Sequence, residues 1–151
     1  MREYLFRGKR ENGEWLFGCL TIDDFMWDGE IKKITCIKEV PKHRGGAFKW
    51  EPVIDETVGQ FTALTDRNGK KIFEGDIVKA VQTEYDYDED KEKEPIVFEV
   101  IGEMIFEDAC FGLRAKHIVD FYAPMWQEDN VELEVIGNIY DNPELLGEQN
   151  D

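Results

Sequence analysis

The sequence predicts a mainly-β chain, and three observations lead there. Short apolar runs recur along it, separated by turn signals such as Asn12-Gly13, Asn68-Gly69 and Gly75. Those runs are rich in β-branched and aromatic residues, which fit a pleated, half-buried surface. No helical period is sustained over a long window. Many short strands with frequent turns point to an all-β or mainly-β barrel.

Taken in order, residues 3–22 read as a hairpin, because two aromatic-rich runs flank Glu11-Asn12-Gly13 and Asn-Gly favours a tight reversal. Residues 31–37, IKKITCI, form the next strand. Lys42 to Gly46 is a basic, glycine-containing loop. Residues 48–54 can pair, with Pro52 marking an edge or a strand end. Thr57 to Leu64 reads as a strand with Thr57, Gly59, Phe61 and Ala63 on one face. Asn68-Gly69 turns the chain with a positive φ at Gly69, and Gly75 permits a bulge or a close backbone approach before the strand at Ile77–Val81. Glu84 to Glu94 holds seven acids and two lysines, which reads as an exposed, mobile tip between two strands. Strands follow at 96–106, 110–115 and 117–122. Val131 to Tyr140 sets Val131, Leu133 and Val135 on one side and acids on the other, a half-buried strand. Asn142 is placed to cap a short helical turn that begins at Pro143.

Charge excludes several functions. The 151 residues carry 18 basic and 34 acidic side chains, a net of −16. The imbalance sits in residues 52–151, with eight basic and 25 acidic side chains, whereas residues 1–51 are near neutral. Nonspecific binding to nucleic acid requires Lys and Arg to neutralise phosphates, so this surface repels duplex DNA and anionic membranes. It suits solubility, a basic protein partner or mimicry of DNA. Charges interrupt the N-terminus where a signal peptide needs an apolar stretch, and no apolar run is long enough to span a bilayer. The expectation is a soluble, cytoplasmic protein.

Chemistry is sparse. Asp66-Arg67-Asn68-Gly69 has its glycine at the fourth position, where a calcium loop needs it at the sixth. Gly69-Lys70-Lys71 leads into strand residues and not into the Ser/Thr and helix of a phosphate loop. There is no serine, hence no serine nucleophile. Cys19, Cys36 and Cys110 are scattered in apolar contexts and read as small buried hydrophobes, and no Cys or His pair has zinc spacing. Cys110 and His117 could form a nucleophile–base dyad, but a buried thiol beside an edge histidine is the simpler account. No cofactor or metal is called for, and no enzymatic activity is expected. Two patches are candidate interaction surfaces. One is the basic and aromatic loop with His43, Arg44 and Trp50, in which Phe48 or Trp50 is expected to pack inward; the other is the apolar segment with Phe121, Tyr122, Met125 and Trp126.

Three blocks of sequence resemble the YopX family of small bacteriophage and prophage proteins. They are Phe6-Arg7-Gly8-Lys9 with Gly13-Glu14-Trp15 and Gly18, Thr57 to Thr62 through Asp66, Asn68-Gly69-Lys70 and Phe73 to Val78, and Val135 to Leu146. Where the family tends to have Gly-Leu after the central-strand Thr, this chain has Ala63-Leu64. The resemblance implies one domain over residues 1–147, with an N-terminal β subregion at 1–56, an SH3-like barrel at 57–147 and a tail at 148–151. It implies no established activity. The expectation that follows is a non-enzymatic binding module with a protein partner, open to homo-oligomer formation. The rival readings are an acidic DNA mimic that occupies a DNA-binding or defence protein, and a minor hydrolase built on Cys110 and His117.

Overall fold

Two five-residue turns in this chain repeat one hydrogen-bond pattern. In Arg10-Glu11-Asn12-Gly13-Glu14, the Arg10 N–H donates to the Glu14 carbonyl at 2.8 Å and the Gly13 N–H to the Arg10 carbonyl at 2.9 Å. In Asp66-Arg67-Asn68-Gly69-Lys70, Asp66 and Lys70 are joined in the same way at 2.8 Å, and Gly69 and Asp66 at 2.9 Å. The glycines have φ of 90° and 78°, while neither asparagine enters the left-handed region. Both expected reversals are therefore present as longer loops with one left-handed residue each. The computed structural model describes residues 5–39, 46, 49–84, 87–88, 91–92, 94–115, 118–122 and 130–147. It separates into two compact units, Met1–Ala63 and Leu64–Asp151.

The first unit contains β1 (Phe6–Lys9), β2 (Trp15–Trp27), β3 (Glu30–Glu39), β4 (Lys49–Pro52), a 3-10 turn (Asp55–Thr57) and most of β5 (Gly59–Thr65). The strands lie in the order β4-β3-β2-β1-β5 and pair antiparallel. Leu16, Ile37 and Val53 form the buried cluster, with Phe6, Leu20 and Val58 packed against it. Pro52 lies in the end strand, where its missing N–H breaks no ladder. The Thr57 hydroxyl donates to the Ile54 carbonyl at 2.7 Å and accepts the Lys9 N–H at 2.8 Å, which ties the 3-10 turn to β1. The expected alternation of β5 holds for buried Gly59 and Phe61 and then fails. Ala63 has φ of 69°, which breaks the pleat, so Ala63 is exposed while Thr62 is buried.

The second unit contains β6 (Lys71–Phe73), β7 (Asp76–Glu84), β8 (Tyr87–Asp88), β9 (Lys91–Glu92), β10 (Ile96–Glu107), β11 (Cys110–Ala115), β12 (Ile118–Tyr122) and β13 (Val131–Asn138). A 3-10 turn, Pro143–Leu146, follows. Five strands form an antiparallel sheet in the order β12-β11-β10-β7-β13. Its core is Ile72, Val78, Ala80, Met104, Phe111, Leu113 and Leu133, with Leu64, Val100, Val131 and Val135 against it. Gly75, at φ 78°, turns β6 into β7, and a Cβ there would come within 3.0 Å of the Tyr140 ring. Asp76 is buried and accepts the Phe73 N–H across that turn at 2.8 Å.

Three expectations need correction here. Among the described residues the sheets are open and form no closed barrel, so an SH3-like closure is not what the strands build. The reason is visible in the order: β7 is flanked by β10 and β13, and β12 and β13 stand at opposite ends of the sheet, not paired with each other among the described residues. Asn142 makes no side-chain cap for the turn at Pro143. Its Oδ1 instead accepts the Asn138 N–H at 3.4 Å, and the Leu145 N–H that a cap could hold is donated to the Asn142 backbone carbonyl at 3.1 Å. Within the acidic run, Tyr87 pairs with Glu92 and Asp88 with Lys91, so part of the expected loop is a two-stranded ribbon.

Candidate functional site

The surface least explained by folding alone is the far half of the β2–β3 hairpin. Its ladder runs unbroken from Cys19 opposite Lys38 to Trp27 opposite Glu30. Asp28 and Gly29 close it with φ of 50° and 81°, the two left-handed residues that a tight two-residue hairpin demands. β1 covers β2 only from Trp15 to Gly18, and β4 covers β3 only from Cys36 to Glu39. The Val53 N–H adds one bond to the Thr35 carbonyl at 3.0 Å, so from Cys19 on β2 and up to Ile34 on β3 the hairpin is a two-stranded arm, with both outer edges unpaired among the described residues.

Strand parity places Leu20, Ile22, Asp24 and Met26 on one face of this arm, with their partners Ile37, Thr35, Lys33 and Ile31. Ile37 is fully buried and Leu20 packs on the core, so this face starts as the inner face of the unit. Further out it emerges into solvent: Ile22 is 66% exposed, Met26 73% and Ile31 70%. On the opposite face Cys36 is buried and its thiol pKa is raised, first by burial and then by the Asp23 carboxylate. Phe25, toward the tip of that face, is exposed. A lone two-stranded ribbon is marginal in water, and an apolar stripe on it gains nothing from folding unless something covers it.

The sequence reading ended the first hairpin at Ile22 and missed this arm. Asp28-Gly29 between two apolar runs is the signal that marks it. Of the residues expected to interact, Trp50 lies in β4 opposite Lys38 and is exposed, so of the two aromatics of which one was expected to pack inward, Phe48 or Trp50, it is not Trp50 that does. Its neighbours His43, Arg44 and Phe48 fall outside the described residues, as do Met125, Trp126 and the His117 of the Cys110 dyad. Phe121 and Tyr122 belong to β12, the end strand, opposite Leu113 and Gly112. Cys110 is partly exposed and its Sγ lies 3.4 Å from the Glu107 carbonyl; Cys19 is exposed, so burial holds for Cys36 alone. Among the described residues no cluster of His, Cys, Asp or Glu has the geometry of a metal site. No described helix is long and apolar enough to cross a membrane, which says nothing of membrane β-barrels.

One polar site was missed as well. Asp66 is buried at the mouth of the second turn. Its Oδ1 accepts the N–H groups of Asn68 at 2.8 Å and Lys70 at 2.9 Å, and its Oδ2 accepts that of Val135 at 3.1 Å. Burial pushes this carboxyl up, but the amides of Lys70, Val135 and Asn68 and the Lys70 charge together outweigh it, leaving the pKa lowered. Asp66 is therefore a structural clasp between the turn and β13. The Arg67 N–H adds a bond to the Leu133 carbonyl at 2.9 Å.

The blocks that carry the turns and the closing strand match the family described as YopX protein over residues 6–147. The chain belongs to the YopX family. No curated protein is a significant match. Among solved structures, the crystal structure of protein EF1440 from Enterococcus faecalis is similar, with 23% identity, coverage of 97% of this chain and 99% of that one, and a TM-score of 0.48. In sequence, the family match spans the exposed arm, Ala63 and the Asp66 clasp.

Proposed function

We propose that this chain is a non-enzymatic binding module of phage or prophage origin, acting in the cytoplasm on a protein partner. The observation that supports it is the arm of β2 and β3, two strands paired with each other from Cys19–Lys38 to Trp27–Glu30, along one face of which Ile22, Met26 and Ile31 stand exposed. The ladder sets these apolar side chains in register, and a partner that covers them supplies the burial that a lone ribbon lacks. The arm offers no nucleophile–base pair, and its charges, four acids and two lysines between residues 21 and 35, suit a mixed polar rim.

The test is affinity capture from a lysogenic host, with the full chain and with an Ile22→Thr, Met26→Thr, Ile31→Thr variant in parallel. Threonine keeps strand propensity, so the variant ladder should persist in its amide exchange pattern. A protein retained by the unmodified chain and lost from the variant is the expected result. Identical captures from both would remove the arm from the interface. In the same preparations, anisotropy titration with a random DNA duplex at about 0.15 M salt should show no binding, because residues 52–151 carry 25 acidic against eight basic side chains and repel phosphates.

A further inference from the structure

We propose that the first half of β10, residues 96–101, is a strand-addition edge that accepts an extended, basic segment of another protein. β7 pairs with this stretch on one side, from Ile96 opposite Glu84 to Ile101 opposite Lys79. On the other side β11 reaches only as far as Glu103, which lies opposite Arg114. Among the described residues no strand pairs with 96–101 on that side. Alternate N–H and C=O groups of the run therefore point out of the sheet as an unfilled ladder.

Proteins usually blunt such an edge with lysine, proline or a bulge. Here the run is Ile-Val-Phe-Glu-Val-Ile, with Pro95 just before it and no basic residue in it. Its register with β7 is unbroken from Ile96 to Glu103, so no bulge twists the edge away. Ile96, Val97 and Phe98 are each about half exposed, at 50%, 58% and 46%. Parity places Ile96 and Phe98 on the face of Val100 and Met104, where they prolong the core surface beyond its end. An added strand would fill the backbone ladder and cover these side chains together, which is how β-augmentation combines affinity with side-chain selection.

Charge selects the occupant. Residues 52–151 hold 25 acidic and eight basic side chains. Glu84, Glu94 and Glu99 are exposed at or beside this stretch, and the nearby Lys79 is held by Glu99 at 2.7 Å. A second copy of the chain would set these acids against their own kind, which destabilises cross-strand pairs. A strand carrying lysine or arginine meets complementary charge. This edge is separate from the β2–β3 arm, so either surface can fail a test while the other stands.

The experiment is an NMR titration of the full-length, nitrogen-15-labelled chain with synthetic peptides of about eight residues, a typical strand length. One alternates lysine and valine, one glutamate and valine, and one is the lysine peptide with N-methylated backbone amides. The lysine peptide should shift the amides of 96–101 and slow their hydrogen exchange. The glutamate peptide should bind at least about tenfold more weakly, and added salt should narrow that gap. N-methylation should abolish binding by removing the donors that fill the ladder. One N–H of the neighbours Val97 and Phe98 points outward, so of Val97→Pro and Phe98→Pro, the variant that still folds should lose the peptide. The arm variant described above should bind it as the unmodified chain does. The proposal is overturned if no peptide binds, if the glutamate or N-methylated peptide binds equally well, or if the shifts fall on the arm. Concentration-dependent dimerisation that protects 96–101 in the chain alone would also overturn it, by assigning the edge to a second copy.

Discussion

The β2–β3 and β7–β10 hairpins are built from similar material and end in opposite states. Both are long antiparallel ladders of β-branched and aromatic residues. Along β7, Ile77, Val78 and Ala80 are buried; along the outer part of β2, Ile22, Phe25 and Met26 are exposed. The difference is the third strand. β13 lies along β7 from Gln82 to Asp76, whereas past Gly18 no strand lies along the outer edge of β2 among the described residues. Pairing with a neighbour in sequence makes a ladder, and only a more distant partner makes a core.

Two methionines test that contrast directly, and they carry the largest expected effect. Met104 on β10 is fully buried and Met26 on β2 is 73% exposed. Met104→Ala should destabilise by about 2–5 kcal/mol, through lost transfer energy and the cavity it leaves. Met26→Ala should change stability by less than about 0.5 kcal/mol. Chemical denaturation of both variants decides the matter. A comparable loss from Met26→Ala would mean that the arm is covered in solution and that the comparison breaks.

The third strand itself can be loosened at Asp66. Asp66→Ala leaves the amides of Asn68, Lys70 and Val135 without their acceptor, and should cost about 1–3 kcal/mol. Because the folded carboxyl titrates below its ordinary range, its contribution is present above that range. It is lost as pH falls through the lowered folded value. Asp66→Asn should therefore differ most from the unmodified chain at neutral pH and converge with it in strong acid. Melting curves at a series of pH values give the result, and a constant difference down to the lowest pH would show that the charge is irrelevant.

Backbone strain sharpens the comparison at a smaller scale. Gly69 has φ of 78° and open space where a Cβ would stand, so Gly69→Val should destabilise through conformation alone, by about 1–3 kcal/mol. Ala63 occupies the same region at φ 69° without being glycine. Ala63→Gly should raise stability by about 0.5 kcal/mol, since relief of a left-handed alanine exceeds the entropy lost by glycine. A drop in melting temperature for Ala63→Gly would show that the Ala63 methyl packs productively.

How much of this was legible follows from the range of each interaction. The turns at Asn12-Gly13 and Asn68-Gly69 could be read because a left-handed glycine is a local requirement. Asp28-Gly29 carried an equally local signal. The burial of Ile77 against the exposure of Ile22 could not be read, since both lie in short runs that mix apolar and charged residues and the deciding strand is far off in sequence. Asp66 was legible as a turn residue and not as a clasp, because one of its three amides belongs to Val135. The Asn142 cap was expected from residue preference, and the short turn beginning at Pro143 gave its side chain a nearer partner at Asn138. Open sheets in place of a barrel reflect the same limit, for closure depends on which strands meet last.

The smallest expected effect lies at Glu103, where β10 passes from its one-sided to its two-sided half. It stands opposite Ile77 on one side and Arg114 on the other. Burial raises its carboxyl pKa, and the Arg114 charge only partly offsets this. A carboxyl raised in the folded state binds its proton more tightly there than in the unfolded chain, so stability falls as pH rises through the folded value. Glu103→Gln removes that penalty while keeping shape and hydrogen-bonding capacity. At pH 7 the variant should be more stable by a few tenths of a kcal/mol, roughly the scale of partly exposed substitutions. The advantage should vanish below the ordinary carboxylate range, where the native residue is also neutral. Denaturation midpoints at both pH values make the check. A loss of stability at pH 7 would mean that the Arg114 attraction outweighs desolvation, and that this part of β10 is held by an ion pair across to β11.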